Sequence, residues 1–306
     1  MPLAFRTEHL KRYADLARLL VKYGRSDLVK QIGLDKALDE GEAESEEALA
    51  HHREVATELA ADLERLGPTF VKLGQLLSTR VDLLPPSYLD ALSRLQDRLR
   101  AVPFEKVRET LEDEFDEPLH VLFREIEETP LASASLGQVH RAKLADGRQV
   151  AIKVQRQGVR RIILDDFEVL EQVAVLMDRH TELGRHVGFE IQLSEMRRTL
   201  LGELDYRREA SHLASVGRKL DEFERIAVPR PIDELTTERV LTMEYLSGTK
   251  IGDLTEQQRA RIDGKGLAQE LFGAYLKQVL IDGMFHADPH PGNVVMLEDG
   301  RLALLD

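Results

Sequence analysis

Lys153 is the first residue whose type and position point to chemistry. It ends the run Val150-Ala151-Ile152-Lys153, which has the composition of a short β-strand. A strand fixes the direction of its side chains, so a lysine there can hold its ammonium group against the α- and β-phosphates of a nucleotide. Any half-buried strand with an exposed lysine gives the same four residues, so the run needs support from its surroundings.

A segment of small residues precedes that strand. It reads Ala132-Ser133-Ala134-Ser135-Leu136-Gly137-Gln138-Val139. Aligned on the phosphate-binding pattern Gly-x-Gly-x-x-Gly-x-Val, Gly137 and Val139 match, whereas Ala132 and Ala134 replace the first two glycines. A Cβ restricts φ and the approach of the backbone to a ligand, so we expect this loop to hold a nucleotide differently from a glycine-rich one.

Oxygen-bearing side chains recur near the end of the chain. Asp288 and Asn293 stand five residues apart in His286-Ala287-Asp288-Pro289-His290-Pro291-Gly292-Asn293, and Asp306 follows Asn293 by thirteen residues. In a kinase-type site, the first of these residues positions the attacking oxygen and the other two hold the metal ions. A competing interpretation is a small metal site made by His286, Asp288 and His290.

The order of these features favours a nucleotide-dependent, kinase-like enzyme. The loop, the strand lysine and the Asp288, Asn293 and Asp306 pattern occur in the sequence order of the kinase motifs, each on the predicted type of element. Under the competing metal-site interpretation, the downstream asparagine and aspartate would be a coincidence.

The elements that must position these residues change in type along the chain. Helical periodicity dominates up to about residue 115, with Pro68, a capping-box-like Ser87 and Asp90, and Pro103 as predicted helix starts. After residue 115, β-prone runs and turn signals predict a hairpin of 138–144 and 149–154 around Asp146-Gly147. Helical periodicity predicts helices over 159–180, 191–223 and 267–281. Further strands are predicted at 230–235, 240–245, 294–297 and 302–305.

Composition sets the class of protein. The 306 residues are 42% hydrophobic and 32% charged, which is typical of a soluble globular protein and excludes collagen-like and disordered classes. The net charge of −13 argues against a nucleic-acid partner, and the absence of cysteine excludes disulfides and thiol nucleophiles. The basic, amphipathic start (Leu10 to Leu28) predicts a helix that packs on a partner or, less readily, lies on a membrane surface, and the acidic run 35–47 predicts a solvated connector.

From about Leu59 onward the sequence resembles the UbiB (AarF, ADCK) family of atypical protein-kinase-like proteins. The resemblance is carried by four segments: Lys72-Leu73-Gly74-Gln75, the alanine-bearing loop leading into Gly137-Gln138-Val139-His140-Arg141-Ala142, Glu203-Leu204-Asp205-Tyr206-Arg207-Arg208-Glu209-Ala210, and 286–293. It implies an α+β, two-lobed kinase-like fold: an N-terminal helical extension (1–115), an N-lobe with inserted helices (116–246) and the start of a C-lobe (247–306).

The resemblance also implies roles for individual residues. Lys72 and Gln75 would contact the active site, with Glu203 and Asp205 near them. Separation in the sequence suggests Glu168 or Glu171 as the carboxylate that pairs with Lys153, but the family motif favours Glu209, with Glu203 second. The predicted nucleotide site consists of Ala132, Ser133, Ala134, Ser135, Gly137, Val139, Ala151, Lys153 and Glu244.

The expected function is an ATP- or ADP-binding, Mg²⁺-dependent ATPase or small-molecule kinase linked to isoprenoid-quinone (ubiquinone) synthesis. The resemblance implies a lipid or quinone-precursor ligand and a cytoplasmic protein peripheral to a membrane, with any anchor beyond residue 306. Two alternatives remain: a Ser/Thr protein kinase and a nucleotide-sensing scaffold without turnover.

Overall fold

The computed structural model describes residues 10–23, 46–81, 84–95, 101–283 and 291–305. Most of the acidic run 35–47 and the residues His286, Asp288, His290 and Asp306 lie outside these ranges. No helix in the described ranges combines the length and the apolar character needed to cross a membrane.

Helices make up most of the described chain. In order they are α1 (Leu10–Tyr23), α2 (Glu46–Leu66), α3 (Pro68–Ser78), α4 (Pro86–Ser93), α5 (Phe104–Phe115), α6 (Leu119–Leu122), α7 (Val159–His180), α8 (Glu182–Val187), α9 (Phe189–Gly202), α10 (Tyr206–Leu220), α11 (Glu256–Arg259) and α12 (Gly264–Lys277).

The strands form two sheets. They are β1 (Glu125–Ile126), β2 (Ala132–Ser133), β3 (Gly137–Lys143), β4 (Gln149–Gln155), β5 (Ile226–Ala227), β6 (Val240–Glu244), β7 (Gly248–Lys250), β8 (Val294–Leu297) and β9 (Leu302–Leu304). One sheet has the order β1-β3-β4-β6 with β2 paired to β3, and the other has the order β5-β9-β8-β7. In the second sheet, β5 runs parallel to β9 and the other pairs are antiparallel.

By packing, the chain divides into two compact units. Unit 1 comprises the described parts of Met1–Ala101, Ser133–Gly137 and Arg156–Leu204, and unit 2 comprises Val102–Ala132, Gln138–Gln155 and the described parts of Asp205–Asp306. This division is based on which residues pack together, and it does not test the predicted segments. The helical extension, the N-lobe and the C-lobe therefore remain predictions.

Unit 1 is a helical assembly around one apolar core. The core is built by α1–α4, α7 and α9, and its fully buried members include Leu92, Ile163, Phe167 and Leu200. Helix α1 turns Leu16 and Tyr23 inward, and its Tyr13 hydroxyl donates to Gln172 at 2.7 Å. The apolar face of this amphipathic helix is therefore used for packing within unit 1.

Unit 2 contains the second sheet and nearly all of the first. Helices α5 and α6 cover one face of the first sheet, where Val150, Ile152 and Val154 of β4 are buried with Phe104 and Leu111. Because successive strand residues point to opposite faces, Ala151 and Lys153 must lie on the other face.

Several sequence predictions are confirmed by these elements. The helical character of the described residues up to 115, the helix start at Pro68, the hairpin and the last two strands all form as expected. Strands β3 and β4 differ from their predicted ranges by one residue at three of their four ends.

Other sequence predictions are wrong. Residues 230–235 form no strand: Pro231 makes a single bridge to Met243, and residues 233–235 form a 3₁₀ turn. Ser87 and Asp90 form no capping box, because Pro85 is the N-cap of α4 and no side chain bonds there. The predicted helix 191–223 is two helices, since α9 ends at Gly202 and Asp205 caps α10. The last turn of the predicted helix 267–281 is a π-helical turn, Gln278–Asp282.

A buried histidine connects β3 to the chain that precedes α5. The Nδ1–H of His140 donates to the Glu127 carbonyl at 2.7 Å, so Nε2 is the acceptor and receives the Gln138 amide N–H at 2.7 Å. Gln138 Oε1 in turn accepts from the backbone N–H of Val102 at 3.0 Å. The network is satisfied by neutral His140, and burial lowers the pKa of this residue.

Unfolding should therefore become easier at acid pH. The unfolded chain takes up a proton on His140 near pH ~6.5, whereas the folded chain does so only at lower pH, so the free energy of unfolding falls as pH drops below that value. Urea unfolding of wild type and His140→Gln at pH 8 and pH 5 measures this contribution. We expect the variant to be less stable at pH 8 and to lose less on acidification, while the exposed control His120→Gln keeps the wild-type slope. Equal slopes in all three proteins would contradict the assignment.

Candidate active site

Lys153 is paired with a carboxylate from α10. Its Nζ lies 2.7 Å from Oε1 and 2.8 Å from Oε2 of Glu209, and both side chains are half-buried. The two residues come from different elements, a central strand and the first turns of a helix, so the contact fixes the direction of the lysine. Of the four carboxylates considered from the sequence, Glu209 is therefore the one that contacts Lys153.

The other three carboxylates lie in unit 1, on or at the end of its helices. Glu168 and Glu171 belong to α7, and Glu171 receives the guanidinium of Arg197 at 3.1 Å. Glu203 follows the last residue of α9 and pairs with Lys72. Separation in the sequence was a poor guide because a series of helices is inserted between β4 and α10.

Asp205 starts the helix that carries Glu209. Its carboxylate accepts the backbone N–H of Arg207 at 3.3 Å and the Nε–H of the same residue at 2.9 Å. The hydrogen bonds from Arg207 hold the pKa of Asp205 below its usual value. A carboxylate at the N-cap fixes the residue at which the helix begins. Glu209, about one turn later, therefore has a defined position on the helix surface.

Tyr206 contacts the lysine of the same ion pair through its ring. Its ring is buried, and the ammonium group of Lys153 lies 5.0 Å from the ring centroid, within the range of a cation–π contact. The backbone N–H of Tyr206 donates to the Glu238 carbonyl at 3.0 Å. The lysine is thus held by a carboxylate and an aromatic face from consecutive turns of α10.

An apolar cluster lies on the face of the sheet that carries Lys153. In the antiparallel register, Ala151 is opposite Met243 and Lys153 is opposite Leu241. Ala151, Leu241 and Met243 are buried in one apolar cluster with Tyr206, and Val139 and Tyr245 are partly buried at its edge. An apolar cluster on the same sheet face as a fixed cation suits a ligand with an aromatic base and an anionic tail.

Glu244, the last residue of β6, was also predicted to bind the nucleotide. Its backbone N–H donates to the Arg230 carbonyl at 2.9 Å, and its carboxylate accepts the Arg230 N–H at 3.2 Å. Next to it, the Tyr245 ring is covered by the guanidinium of Arg141 at 4.6 Å.

The small-residue loop is closed by an arginine that sequence reasoning missed. In unit 1, Arg156 donates from Nε to the Ala134 carbonyl at 3.0 Å, from Nη2 to Ser133 Oγ at 2.9 Å and from its backbone N–H to the Leu136 carbonyl at 2.9 Å. Burial lowers the pKa of this guanidinium. The available signal was an arginine three residues after Lys153 and two residues beyond the end of the predicted strand.

The backbone of this loop also explains its alanines. Among the described residues, positive φ angles occur at Asp116 and at six glycines, none of them in 132–139. The turn is completed by a hydrogen bond from Ala134 N–H to the Gly137 carbonyl at 2.8 Å, and the Ser135 side chain is fully buried. Because no residue needs the left-handed region, alanine and serine fit where a phosphate-binding loop usually has glycine.

The Lys72–Gln75 motif separates into two kinds of contact, both within unit 1. Lys72 Nζ lies 3.4 Å from Glu203 Oε2. Gln75 donates from Nε2 to the Leu95 carbonyl at 3.0 Å, and a Cβ on Gly74 would lie 2.3 Å from Leu95 Cδ1. Gly74 and Gln75 therefore hold α3 against the chain after α4, and the predicted contact of Gln75 with the active site stays a prediction.

Of the two predicted metal ligands, Asn293 lies in the described part of unit 2 and Asp306 lies outside the described residues. Asn293 directly precedes β8, and its carbonyl accepts the N–H of Leu305 at 2.9 Å, so the residue before Asp306 is tied to Asn293. An amide and a carboxylate are oxygen donors of the kind that Mg²⁺ prefers, so this donor set fits the ion. Within the described ranges, no group of three or more His, Cys, Asp or Glu residues forms a metal cluster.

Comparisons with known proteins identify the family of this chain. Residues 94–306 match the ABC1 atypical kinase-like domain. The chain is 34% identical to a probable protein kinase UbiB of Aliivibrio fischeri, over 95% of this chain and 54% of that protein. It is 38% identical to Protein ACTIVITY OF BC1 COMPLEX KINASE 7, chloroplastic, of Arabidopsis thaliana, over 85% of this chain and 37% of that protein.

A solved structure is similar as well. Rv3197 from Mycobacterium tuberculosis, in complex with erythromycin, superimposes with a TM-score of 0.55 at 27% identity, covering 86% of this chain and 66% of that chain. The chain spans about half the length of the curated relatives that it matches. The match over residues 94–306, the UbiB and ABC1 kinase relatives and the kinase-like α+β fold agree, and the chain belongs to the ABC1 atypical kinase-like (UbiB) family.

Proposed function

We propose that this chain binds ATP or ADP with Mg²⁺ and catalyses phosphoryl transfer, either to water or to a small-molecule or lipid acceptor. The observation that carries the proposal is the Lys153–Glu209 ion pair, which lies on the same sheet face as the apolar cluster around Ala151 and Met243. The edge of that cluster, at Val139 and Tyr245, would receive the adenine base, and Lys153 would receive the α- and β-phosphates. Glu209 and Tyr206 keep the ammonium group in place before the nucleotide arrives.

Each remaining residue has a chemical task in this mechanism. Asn293 and Asp306 would hold Mg²⁺, which neutralises charge that develops on the phosphates. Asp288 would orient the attacking oxygen and accept its proton. The new bond joins that oxygen to the γ-phosphorus, the bond to the β–γ bridging oxygen breaks, and ADP leaves. Arg156 would keep the alanine-bearing loop in one shape.

The proposed biological role follows the family. The relatives include a probable protein kinase UbiB. From the family resemblance, we propose that this chain supports isoprenoid-quinone (ubiquinone) synthesis, with a lipid or quinone-precursor ligand. We propose a cytoplasmic protein at the membrane periphery. A Ser/Thr protein kinase and a nucleotide-sensing scaffold are the alternatives that the experiments below separate.

Removing the Lys153 ammonium group should abolish nucleotide binding. At a MgATP concentration about 100 times Kd, binding adds about 2.7 kcal/mol to stability, so the wild type should melt several degrees higher with MgATP than without it. We expect Lys153→Ala to lose this shift and Lys106→Ala, which removes an exposed lysine paired with Glu109, to keep it. Calorimetric melting measures both. A shift that persists in Lys153→Ala would contradict the proposed site.

Asp205 should act as a helix cap and not as a metal ligand. Serine also caps helices, so Asp205→Ser should bind MgATP nearly as well as wild type. Asp205→Ala should lose about 1 kcal/mol of unfolding free energy and bind MgATP more weakly, because Glu209 is no longer held in position. Urea unfolding and titration calorimetry at several Mg²⁺ concentrations test this. An equal loss in both variants, with a raised Mg²⁺ requirement, would favour a metal role.

Turnover depends on Asp288 if the chain is an enzyme. We expect Asp288→Asn to keep the MgATP melting shift and to lower ATP hydrolysis by about 100-fold or more, since the proton acceptor is lost. Phosphate release and transfer of radiolabel from ATP are the measurements. No hydrolysis or transfer by the wild type would favour the scaffold, whereas label appearing on added proteins, with no need for Lys72→Ala to expose it, would favour the protein kinase.

A further inference from the structure

Asp166 of α7 is a buried charged residue outside the proposed nucleotide site. It is 2% exposed, and among the Asp, Glu, Lys and Arg residues that the structure describes, no other falls in the buried class. Its carboxylate meets Arg12 of α1, with Nε 2.7 Å from Oδ1 and Nη2 3.3 Å from Oδ2. The hydroxyl of Thr69 on α3 donates to Oδ2 at 2.6 Å. One carboxylate thus joins three helices of unit 1.

Such a group is an expensive way to stabilise a core. Burial raises the pKa of the Asp166 carboxyl, and the hydrogen bond from Thr69 and the charge of Arg12 oppose that rise only in part. An apolar residue of similar size would often pack there at lower cost. What the arrangement provides is a fixed position of these helices, because hydrogen bonds have direction and apolar contacts do not.

The geometry that it fixes is that of α3. Thr69 and Lys72 are three residues apart on this helix and so lie on neighbouring positions of one side. Arg12 also donates from Nη1 to the carbonyl of Leu66 at 2.8 Å, the last residue of α2 before α3 begins. The start of α3 is thereby tied to α1 and α7 at two points. At the other end of the motif, Gln75 is tied to Leu95.

We infer that Asp166 is a positioning residue for Lys72, and that α1 supplies the counter-charge that keeps it in place. The Thr69–Asp166 hydrogen bond sets the rotation and depth of α3, and these decide whether Lys72 reaches Glu203. Docking of α1 through Arg12 is therefore a requirement for the Lys72–Glu203 pair. The effect of this pair on nucleotide turnover rests on the proposed function, but the positioning of Lys72 does not.

Chemical labelling of Lys72 tests the positioning directly. Amine acylation at neutral pH, followed by peptide mass spectrometry, gives the rate at Lys72, with Lys106 of unit 2 as an internal reference. Thr69→Val keeps the size of the side chain and removes only the hydroxyl, and Thr69→Ser restores it. We expect a several-fold faster reaction of Lys72 in Thr69→Val and in Arg12→Gln, because the ammonium group leaves Glu203, and a wild-type rate in Thr69→Ser.

The same variants separate positioning from general stability. A lower melting temperature in Thr69→Val with an unchanged Lys72 rate would overturn the inference, as would an unchanged rate in Arg12→Gln if Thr69→Val does not fold. In the activity arm, the effect of Thr69→Val on kcat for MgATP hydrolysis should disappear when Lys72→Ala is also present, and an effect that persists there would show that Asp166 does not act through Lys72. If the wild type neither binds nor hydrolyses MgATP, the proposed function fails while the labelling result still decides the positioning.

Discussion

The proposed nucleotide site depends on one contact, the ion pair between Lys153 and Glu209. A lysine on a strand is directed to one face of the sheet, but its long side chain still has many rotamers, and ordering it costs conformational entropy. The contacts of Lys153 with the Glu209 carboxylate and the Tyr206 ring offset that entropy before any ligand binds. Everything that fixes the first turns of α10 therefore acts on the lysine, including the Asp205 cap and the hydrogen bond from Tyr206 to Glu238.

The loop 132–139, which we propose binds phosphates, is built differently from a glycine-rich loop. A glycine-rich loop gains close approach at the cost of a flexible backbone. Here alanines and serines stiffen the backbone, and a partly buried arginine fixes its shape through Ala134 and Ser133. A guanidinium has several donors in a rigid plane, so a single side chain can hold a carbonyl and a hydroxyl together. The loop is thus defined by a side chain from the end of β4, outside its own sequence.

Local sequence signals predicted local structure well and long-range contacts poorly. The hairpin around Asp146-Gly147 and the helix start at Pro68 follow from turn and proline chemistry, and both form. The strand predicted at 230–235 fails because Pro231 has no N–H to continue a ladder. Glu209 was ranked first as the partner of Lys153 from the family motif, since spacing alone pointed to α7. Arg156 and Asp166 were missed because their partners are 22 and 97 residues away in the chain.

The short motifs of this family divide their residues between chemistry and support. In Lys72–Gln75, the lysine meets Glu203 while Gly74 and Gln75 hold the helix against Leu95. Around Glu203 and Asp205, the first carboxylate pairs with a lysine and the second starts a helix. Charge pairing and helix anchoring need different residue types. Their spacing is fixed because a helix must be anchored within one turn of the charged side chain that it carries. A motif of this kind therefore marks a helix whose phase matters, and only part of it needs to touch a substrate.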